Sequence, residues 1–187
     1  MKKLLLALSL LSLQTYTKPR KATKHSQSSN TQGKNFQREL DAAQKSGVAL
    51  VDEFGALEAL YYECKDMLRS LAMQAGQKFV KDMQECIKSD DYIDNLNVDE
   101  SDYMAKKAES IASEFMAVSA DFNNIQGQVA SLQARAEALQ FASLEVRLRE
   151  GVKMISDMRN LMTPIKNKLE ALRKEIQALQ AKIQARR

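Results

Sequence analysis

Residues 104–139 read MAKKAESIASEFMAVSADFNNIQGQVASLQARAEAL, and apolar residues recur along them at alternating steps of four and three. An apolar repeat of 3.5 residues predicts a helix that packs lengthwise against other helices. The ladder comprises Met104, Ala108, Ile111, Phe115, Val118, Phe122, Ile125, Val129, Leu132, Ala136 and Leu139. Such a sequence says much about architecture and little about a specific function.

Two further ladders flank this one. The carboxyl-terminal ladder comprises Met158, Met162, Ile165, Leu169, Leu172, Ile176, Leu179 and Ile183. The weaker amino-terminal ladder comprises Phe36, Leu40, Ala43, Gly47, Leu50, Phe54, Leu57, Tyr61, Cys64, Leu68, Leu71 and Ala75. The three ladders predict an all-α fold, an elongated antiparallel helical bundle over residues 36–187. The expected helices cover about 36–87, 100–160 and 164–186.

Three positions leave the helix boundaries open. The first ladder slips near Gly76, which indicates either a bend or a turn that would make a fourth helical segment. The middle ladder fails after Leu139 and resumes one face over, which indicates a local change of winding or a switch of packing partner. Its shifted positions are Phe141, Leu144, Leu148, Val152 and Ile155. Pro164 follows a Thr and suits a helix start, yet the ladder keeps its phase across it, so a tight hairpin and a kinked continuous helix both remain open.

The acidic segment 89–102 reads SDDYIDNLNVDESD and predicts the break between the first two helices. Asp and Asn side chains compete with helix by bonding the nearby backbone. A calcium loop is disfavoured because Glu100 stands where that loop needs Gly, and Lys106 stands where it needs a bidentate Glu. The segment instead suits helix capping, with Asp99 as the cap and Asp102 in the first turn.

The charge of the chain is divided between a basic amino terminus and a mildly acidic body. The chain has 187 residues and a net charge of +4, with 28 Lys and Arg against 24 Asp and Glu. Residues 1–38 hold eight basic residues and no acidic one, which leaves the remainder at a net charge of −4. A nucleic-acid module carries its basic charge on the folded face, so no nucleic-acid partner is expected.

The amino terminus has the layout of a secretory signal peptide. Lys2 and Lys3 precede the ten-residue apolar run LLLALSLLSL at 4–13, which is too short to span a bilayer about 30 Å thick as a helix. We expect residues 1–17 to direct export to the periplasm or outside the cell. Organelle targeting and membrane tethering by an uncleaved leader are the alternatives.

Residues 18–35 have almost no apolar side chains and predict a disordered basic tether. Weak contact with anionic lipid headgroups is an expectation for the basic residues of its first half. These residues are Lys18, Arg20, Lys21 and Lys24.

Cys64 and Cys86 are the two cysteines of the chain. They lie at equal distances from Ala75, so a hairpin folded there would place them opposite each other for a disulfide in an oxidising compartment. In one straight helix they would lie roughly 33 Å apart, and two separately packed thiols would result. An intermolecular bridge is the third interpretation.

The carboxyl-terminal ladder offers a seam for a protein partner. Its expected residues are Ile165, Leu169, Leu172, Ile176, Leu179 and Ile183. In a parallel homodimer Lys168 would face Arg173 of the other copy, which favours antiparallel packing against its own chain or an acidic partner. Residues 118–139 are a second candidate contact surface, and self-association through such ladders remains open.

No constellation of residues points to catalysis. His25 is the only histidine and lies in the tether, and no phosphate-binding Gly-rich loop or metal-ligand spacing occurs in the sequence. We therefore expect no enzyme activity, no cofactor and no bound metal. The sequence favours an exported coiled-coil protein that acts by protein–protein contact in the cell envelope, such as a component of a secretion or surface apparatus or a secreted host-contact factor.

Two alternative functions remain at this stage. The layout of a leader, a basic composition and long helices resembles that of the periplasmic holdase chaperones, although the strand-forming segments of that family's trimeric body are missing here. The other alternative is a helical scaffold held at a membrane surface by its leader.

Overall fold

The computed structural model describes the backbone at residues 28–88, 98–139 and 141–185, and side chains at 34–77, 102–139 and 141–185. Three helices fill these ranges: α1 (Ser28–Lys88), α2 (Val98–Ala138) and α3 (Leu144–Gln184). No strand occurs in the described residues. The prediction of an all-α helical bundle is confirmed.

The heptad ladders form the core of the bundle. Every ladder position from Met104 to Ala136 is buried, and so is every position from Met158 to Ile183. On α1 the buried ladder residues include Leu50, Leu57 and Leu71, all within 1% of complete burial. The apolar stripes thus face one another, which is the packing that the 3.5-residue period predicts.

The chain divides into two compact units, each containing one segment from all three helices. Unit 1 comprises Met1–Ala56 and Asn124–Met162, and unit 2 comprises Leu57–Asn123 and Thr163–Arg187. The division follows packing rather than helix ends, because each helix runs through both units.

In unit 2 the contacts show the direction of each helix. Residues further along α1 contact residues further along α3. Cys64 bonds the carbonyl of Leu169, and the carbonyl of Met67, later on α1, accepts a hydrogen bond from Gln180, later on α3. Helices α1 and α3 therefore run parallel here.

Helix α2 of unit 2 runs the opposite way to α3. Lys168 lies 2.9 Å from Asp121, whereas Glu175, further along α3, lies 2.9 Å from Lys107, which is earlier on α2. The hydrogen bond with Glu175 raises the pKa of Lys107. The carboxyl-terminal ladder thus packs antiparallel to α2 and parallel to α1.

An aromatic stack fills the α1–α2 interface of unit 2. The ring of Tyr61 stacks on Phe122 at 4.3 Å between centroids and on Phe115 at 5.4 Å. The hydroxyl of Tyr61 lies 3.2 Å from that of Ser119, so the buried ring keeps a hydrogen-bond partner.

In unit 1 an arginine joins α3 to α1. Arg159 donates from Nε and Nη2 to the Glu53 carboxylate at 2.9 and 3.0 Å. Its Nη1 donates to the Ser46 hydroxyl at 2.8 Å and its Nη2 to the Ser46 carbonyl at 3.3 Å. Planar bidentate pairing of this kind fixes the geometry of both partners.

The boundary between the second and third helices was predicted wrongly. Helix α2 ends at Ala138 rather than near 160, and the reversal lies between Ala138 and Leu144 rather than at Pro164. The Ala142 N–H donates to the Leu139 carbonyl at 2.9 Å, which closes the turn. Ser143 then caps α3, because its hydroxyl lies 3.4 Å from the N–H of Val146, at the third helical position.

Pro164 lies inside α3, so the helix continues through it, as one of the two interpretations held, and the hairpin was wrong. Proline removes one backbone donor, which leaves the carbonyl of Asn160 without its usual helical partner. Asn160 and Pro164 are both exposed, so solvent can bond that carbonyl. The ladder residues on either side, Met162 and Ile165, remain buried.

Helix α1 passes through Gly76 without a break, so the turn that would have made a fourth helical segment there is not formed. Helix α1 also begins at Ser28 rather than near Phe36, so the last eight residues of the predicted tether are helical. Polar residues such as Gln32 and Lys34 are good helix formers, and extending an existing helix adds one bond per residue. The leader at 1–17, the tether residues 18–27 and the loop residues 89–97 lie outside the described residues.

Candidate docking groove

An open apolar groove lies between α1 and α3 in unit 1. Its volume is about 760 Å³, in the range of sites that hold sizeable ligands. The α1 wall spans 36–46 and the α3 wall 145–155, so the groove is roughly 15 Å long. Its lining residues are Phe36, Glu39, Ala42, Ala43, Ser46, Glu145, Leu148, Arg149, Val152 and Ile155.

Small residues on α1 leave this groove open. Ala42, Ala43 and Ser46 stand along the α1 wall, where larger side chains would fill the space between the helices. The opposite wall is larger and apolar, with Leu148, Val152 and Ile155. The alanines of the α1 wall and the larger residues of the α3 wall leave space between the two helices. A row of side chains from another helix fits into a space of this kind.

The floor of the groove is a packed apolar cluster. Leu40 and Leu148 are buried against each other, and Phe36, Ala43 and Leu144 pack around them. Val152 at the wall keeps 49% of its surface exposed. The groove is therefore apolar at its floor and along much of its α3 wall.

The charged residues of the groove lie on both helices. Glu39 on α1 and Glu145 on α3 contribute carboxylates, and neither has an ion-pair partner among the described residues. Arg149 lies 3.8 Å from Glu150, which also lies 3.8 Å from Arg135 of α2. An occupant with basic residues near its apolar face would complement the two carboxylates.

Arg159 holds the α1 wall of the groove in place. Its four hydrogen bonds to Ser46 and Glu53 are called the Arg159 clamp below. Ser46 belongs to the groove wall, and both its hydroxyl and its carbonyl accept hydrogen bonds from Arg159. Glu53, about two turns further along α1, is the second partner of Arg159. This pairing holds the α1 wall at a fixed register against α3.

The seam expected to bind a partner is buried within the chain. All six of its residues are at most 5% exposed. They are Ile165, Leu169, Leu172, Ile176, Leu179 and Ile183. The ladder within 118–139 is likewise buried from Val118 to Ala136. Both surfaces are buried inside the folded chain, so neither is exposed to a partner.

Cys64 is a buried free thiol. Its Sγ lies 3.4 Å from the Leu169 carbonyl, and burial, assisted by Glu63 and opposed by Arg173, raises the pKa of the thiol from 9.0 to about 11. An intrachain bridge to Cys86 needs a hairpin at Gly76, whereas α1 is continuous there and Cys64 is a free thiol, so the structure does not support that bridge. The side chain of Cys86 lies outside the described residues.

The described residues contain no group of three or more His, Cys, Asp or Glu side chains arranged to hold a metal ion. Within the same residues, no helix combines the length and hydropathy needed to cross a membrane. Residues 18–24, expected to contact lipid headgroups, fall outside the described part of the chain. The groove lining is suited to apolar contacts and carries three charged side chains, Glu39, Glu145 and Arg149.

No protein-family model matches this chain, and neither a curated protein nor a solved structure is similar to it.

The groove itself was not predicted, although part of its signal is visible in the sequence. The apolar residues after Leu139 shift one face away from the core ladder, and three of them form the α3 wall: Leu148, Val152 and Ile155. A switch of packing partner was one of the two interpretations of that shift. The α1 wall gave no comparable signal, because Ala42 and Ala43 are ordinary helix residues.

Proposed function

We propose that this chain is an exported, non-enzymatic helical-bundle protein that acts in the cell envelope by docking an apolar helix of a partner protein in the groove between α1 and α3. The observation that supports this proposal most is the groove itself, with its apolar floor and the half-exposed Val152 at its wall. Binding of an amphipathic helix in an apolar groove is a recurrent mode of protein recognition.

The size of the groove limits the partner segment. A wall about 15 Å long accommodates roughly ten helical residues, or three turns. Such a segment would place apolar anchors at positions i, i+3 or i+4, and i+7. Glu39 and Glu145 favour a partner that carries Lys or Arg beside those anchors.

The lining groups favour binding over catalysis in this proposal. The Ser46 hydroxyl is engaged by Arg159, and the lining contains neither histidine nor cysteine to activate a nucleophile. The proposed export rests on the leader at 1–17 and its apolar run.

Site-specific photo-crosslinking in the cells that make the protein tests the contact. A photoreactive residue at Val152 is expected to give one adduct of defined mass, because that side chain lies at the groove wall. Val48 is the matched control, since it is an exposed valine of the same unit outside the groove lining. Equal adducts from both positions, or none from Val152, would contradict docking in the groove.

The export half of the proposal has its own measurement. Intact mass of the protein recovered outside the cytoplasm is expected to show a start near Lys18. A full-length mass for all of the protein, or its absence from that fraction, would contradict export through a cleaved leader.

A further inference from the structure

The two walls of the groove run in the same direction. Leu40 of α1 is buried against Leu148 of α3, and Ser46, further along α1, bonds Arg159, further along α3. The groove therefore has a near end, at residues 36 and 145, and a far end, at residues 46 and 155. A helix that lies along it runs either with both walls or against both.

The carboxylates of the lining lie toward the near end. Glu39 follows Phe36 by three residues on α1, and Glu145 is the first α3 residue of the lining. Neither carboxylate has an ion-pair partner among the described residues. The far-end residues Ser46 and Ile155 are uncharged, so only the near end attracts positive charge.

Arg149 is the basic residue of the described lining, and it reduces this attraction without cancelling it. It lies one turn after Glu145 and 3.8 Å from Glu150, a carboxylate outside the lining. Its side chain is 76% exposed, so solvent screens its charge. Two carboxylates against one screened guanidinium leave the near end negative.

The direction of an occupant follows from where a helix best carries basic side chains. Lys and Arg in the last turn stabilise a helix, because the free carbonyls there carry partial negative charge, whereas in the first turn they destabilise it. A helix with its carboxyl end at the near end would run antiparallel to α1 and α3. That end would lie beside the amino terminus of α3, which begins at Leu144.

We propose that the partner helix runs antiparallel to α1 and α3 and carries Lys or Arg in its last turn, which lies between Glu39 and Glu145. This inference rests on the proposed function, because it gives a direction and a basic end to the helix docked there. The space beside Ala42 and Ala43, toward the far end, then receives large apolar anchors from the earlier turns of the partner.

Two synthetic peptides of about twelve residues test the direction against the purified full-length chain. Both have acetylated and amidated ends and the same leucine anchors, and each carries a pair of lysines, in the last turn of one peptide and in the first turn of the other. Fluorescence anisotropy is expected to show the last-turn peptide binding roughly three- to tenfold more tightly. Val152→Glu should abolish the binding of both, whereas Val48→Glu should not.

Substitutions in the lining separate the charge of the groove from the helicity of the free peptides. Glu39→Gln combined with Glu145→Gln should weaken the last-turn peptide several-fold and the first-turn peptide little. Arg149→Gln should instead tighten the last-turn peptide. Asp52→Asn is the control, since Asp52 is exposed in the same unit outside the lining, and it should change neither affinity.

Photo-coupling gives the direction independently of affinity. A photoreactive residue at the carboxyl end of the last-turn peptide is expected to couple to residues 36–39 or 144–149, as located by digestion and mass spectrometry. The same residue at the amino end should couple to residues 43–46 or 152–155. The reverse locations would show a parallel helix and overturn the inference.

The remaining outcomes separate this inference from the proposed function. Equal weakening of both peptides by the two Gln substitutions, or coupling in both directions, would overturn the assigned direction and leave docking in the groove intact. Binding of neither peptide, together with a partner adduct from Val152 in cells, would do the same. Binding of neither peptide and no adduct in cells would contradict both.

Discussion

At the scale of single residues, Arg159 joins α3 to α1 in unit 1 through four hydrogen bonds. Its guanidinium bonds Glu53 through two atoms and also bonds the hydroxyl and carbonyl of Ser46. The side chain is 36% exposed, so solvent weakens the pairing relative to a fully buried one. Even so, removing it takes the Arg159 donors away from four acceptor atoms on α1.

Arg159→Ala is therefore expected to lower the free energy of unfolding by about 1–2 kcal/mol. Arg159→Lys should lose most of the same stability, because an ammonium cannot bond the carboxylate through two atoms. Urea denaturation measures both. Lys166→Ala is the control, since Lys166 lies 3.9 Å from Glu170 in an exposed pair and should change stability little. An Arg159→Ala chain as stable as this control would show that the clamp contributes nothing.

Cys64 gives a prediction for pH and reactivity. Its pKa is raised to about 11 by burial, so the thiol stays protonated in the folded chain where an unfolded one with a pKa of 9.0 ionises. Folding stability should accordingly fall as the pH rises from about 9 toward 11, because only the unfolded state gains by ionising. A Cys64→Ser variant should lack this contribution.

Thiol labelling checks the same residue more directly. In a Cys86→Ser chain at pH 8, a thiol reagent is expected to modify Cys64 slowly in buffer and rapidly in concentrated urea. Rapid labelling of the folded chain would contradict the buried, protonated thiol.

At the scale of helices, Gly76 distinguishes a continuous α1 from the hairpin that its sequence also allowed. A methyl group added at Gly76 would meet nothing within 4 Å, and the same is true of Gly127 in α2. Ala is favoured over Gly in a helix interior by about 1 kcal/mol.

Gly76→Ala is expected to raise the free energy of unfolding by about 0.5–1 kcal/mol, as Gly127→Ala should. Thermal and urea denaturation of the two variants would measure this. Gly127 is the reference, because it lies in the middle of an uninterrupted ladder. A loss of stability in Gly76→Ala alone would mean that residue 76 needs a non-helical backbone and that α1 turns there.

The helices also show which features the sequence could predict. Burial of the ladder positions could be predicted from their spacing. Apolar residues such as Ile111, Val118 and Ile125 lie on one face of the helix, and burying that face stabilises the fold. The position of the α2–α3 turn did not follow, because Ser143 is a weaker signal than Thr163-Pro164 although it is the residue that caps α3. The exposed backbone around Pro164 tolerates a missing donor, and no local pattern in the sequence reports that exposure.

The candidate site was harder to predict than the helices for a related reason. Periodicity identifies faces that must be covered, whereas a groove depends on the sizes of residues that meet across two helices. Ala43 and Leu148 are 105 positions apart in the sequence, and only the fold brings them to one apolar cluster. The same applies to the buried seam at Leu169, whose neighbours on α1 could not be known in advance.

At the scale of the whole molecule, the ladders are used within one chain. Leu169 and Ile176 are fully buried, although the structure contains a single chain. Association through that seam would require exposing side chains that already lie in the core, at about 25 cal/mol for each Å² of apolar surface. Self-association by the ladders is therefore expected to be much less stable than the folded monomer.

This argument gives the last prediction. Leu169→Ala is expected to lower the free energy of unfolding by about 3 kcal/mol, through lost burial and the cavity left behind. The unfolding midpoints of the unaltered and Leu169→Ala chains should each stay constant over about a hundredfold range of protein concentration. Analytical ultracentrifugation should find monomers in both. Midpoints that rise with concentration and converge for the two chains would instead place Leu169 in an interface between copies, and the helices would then need a partner chain to complete their core.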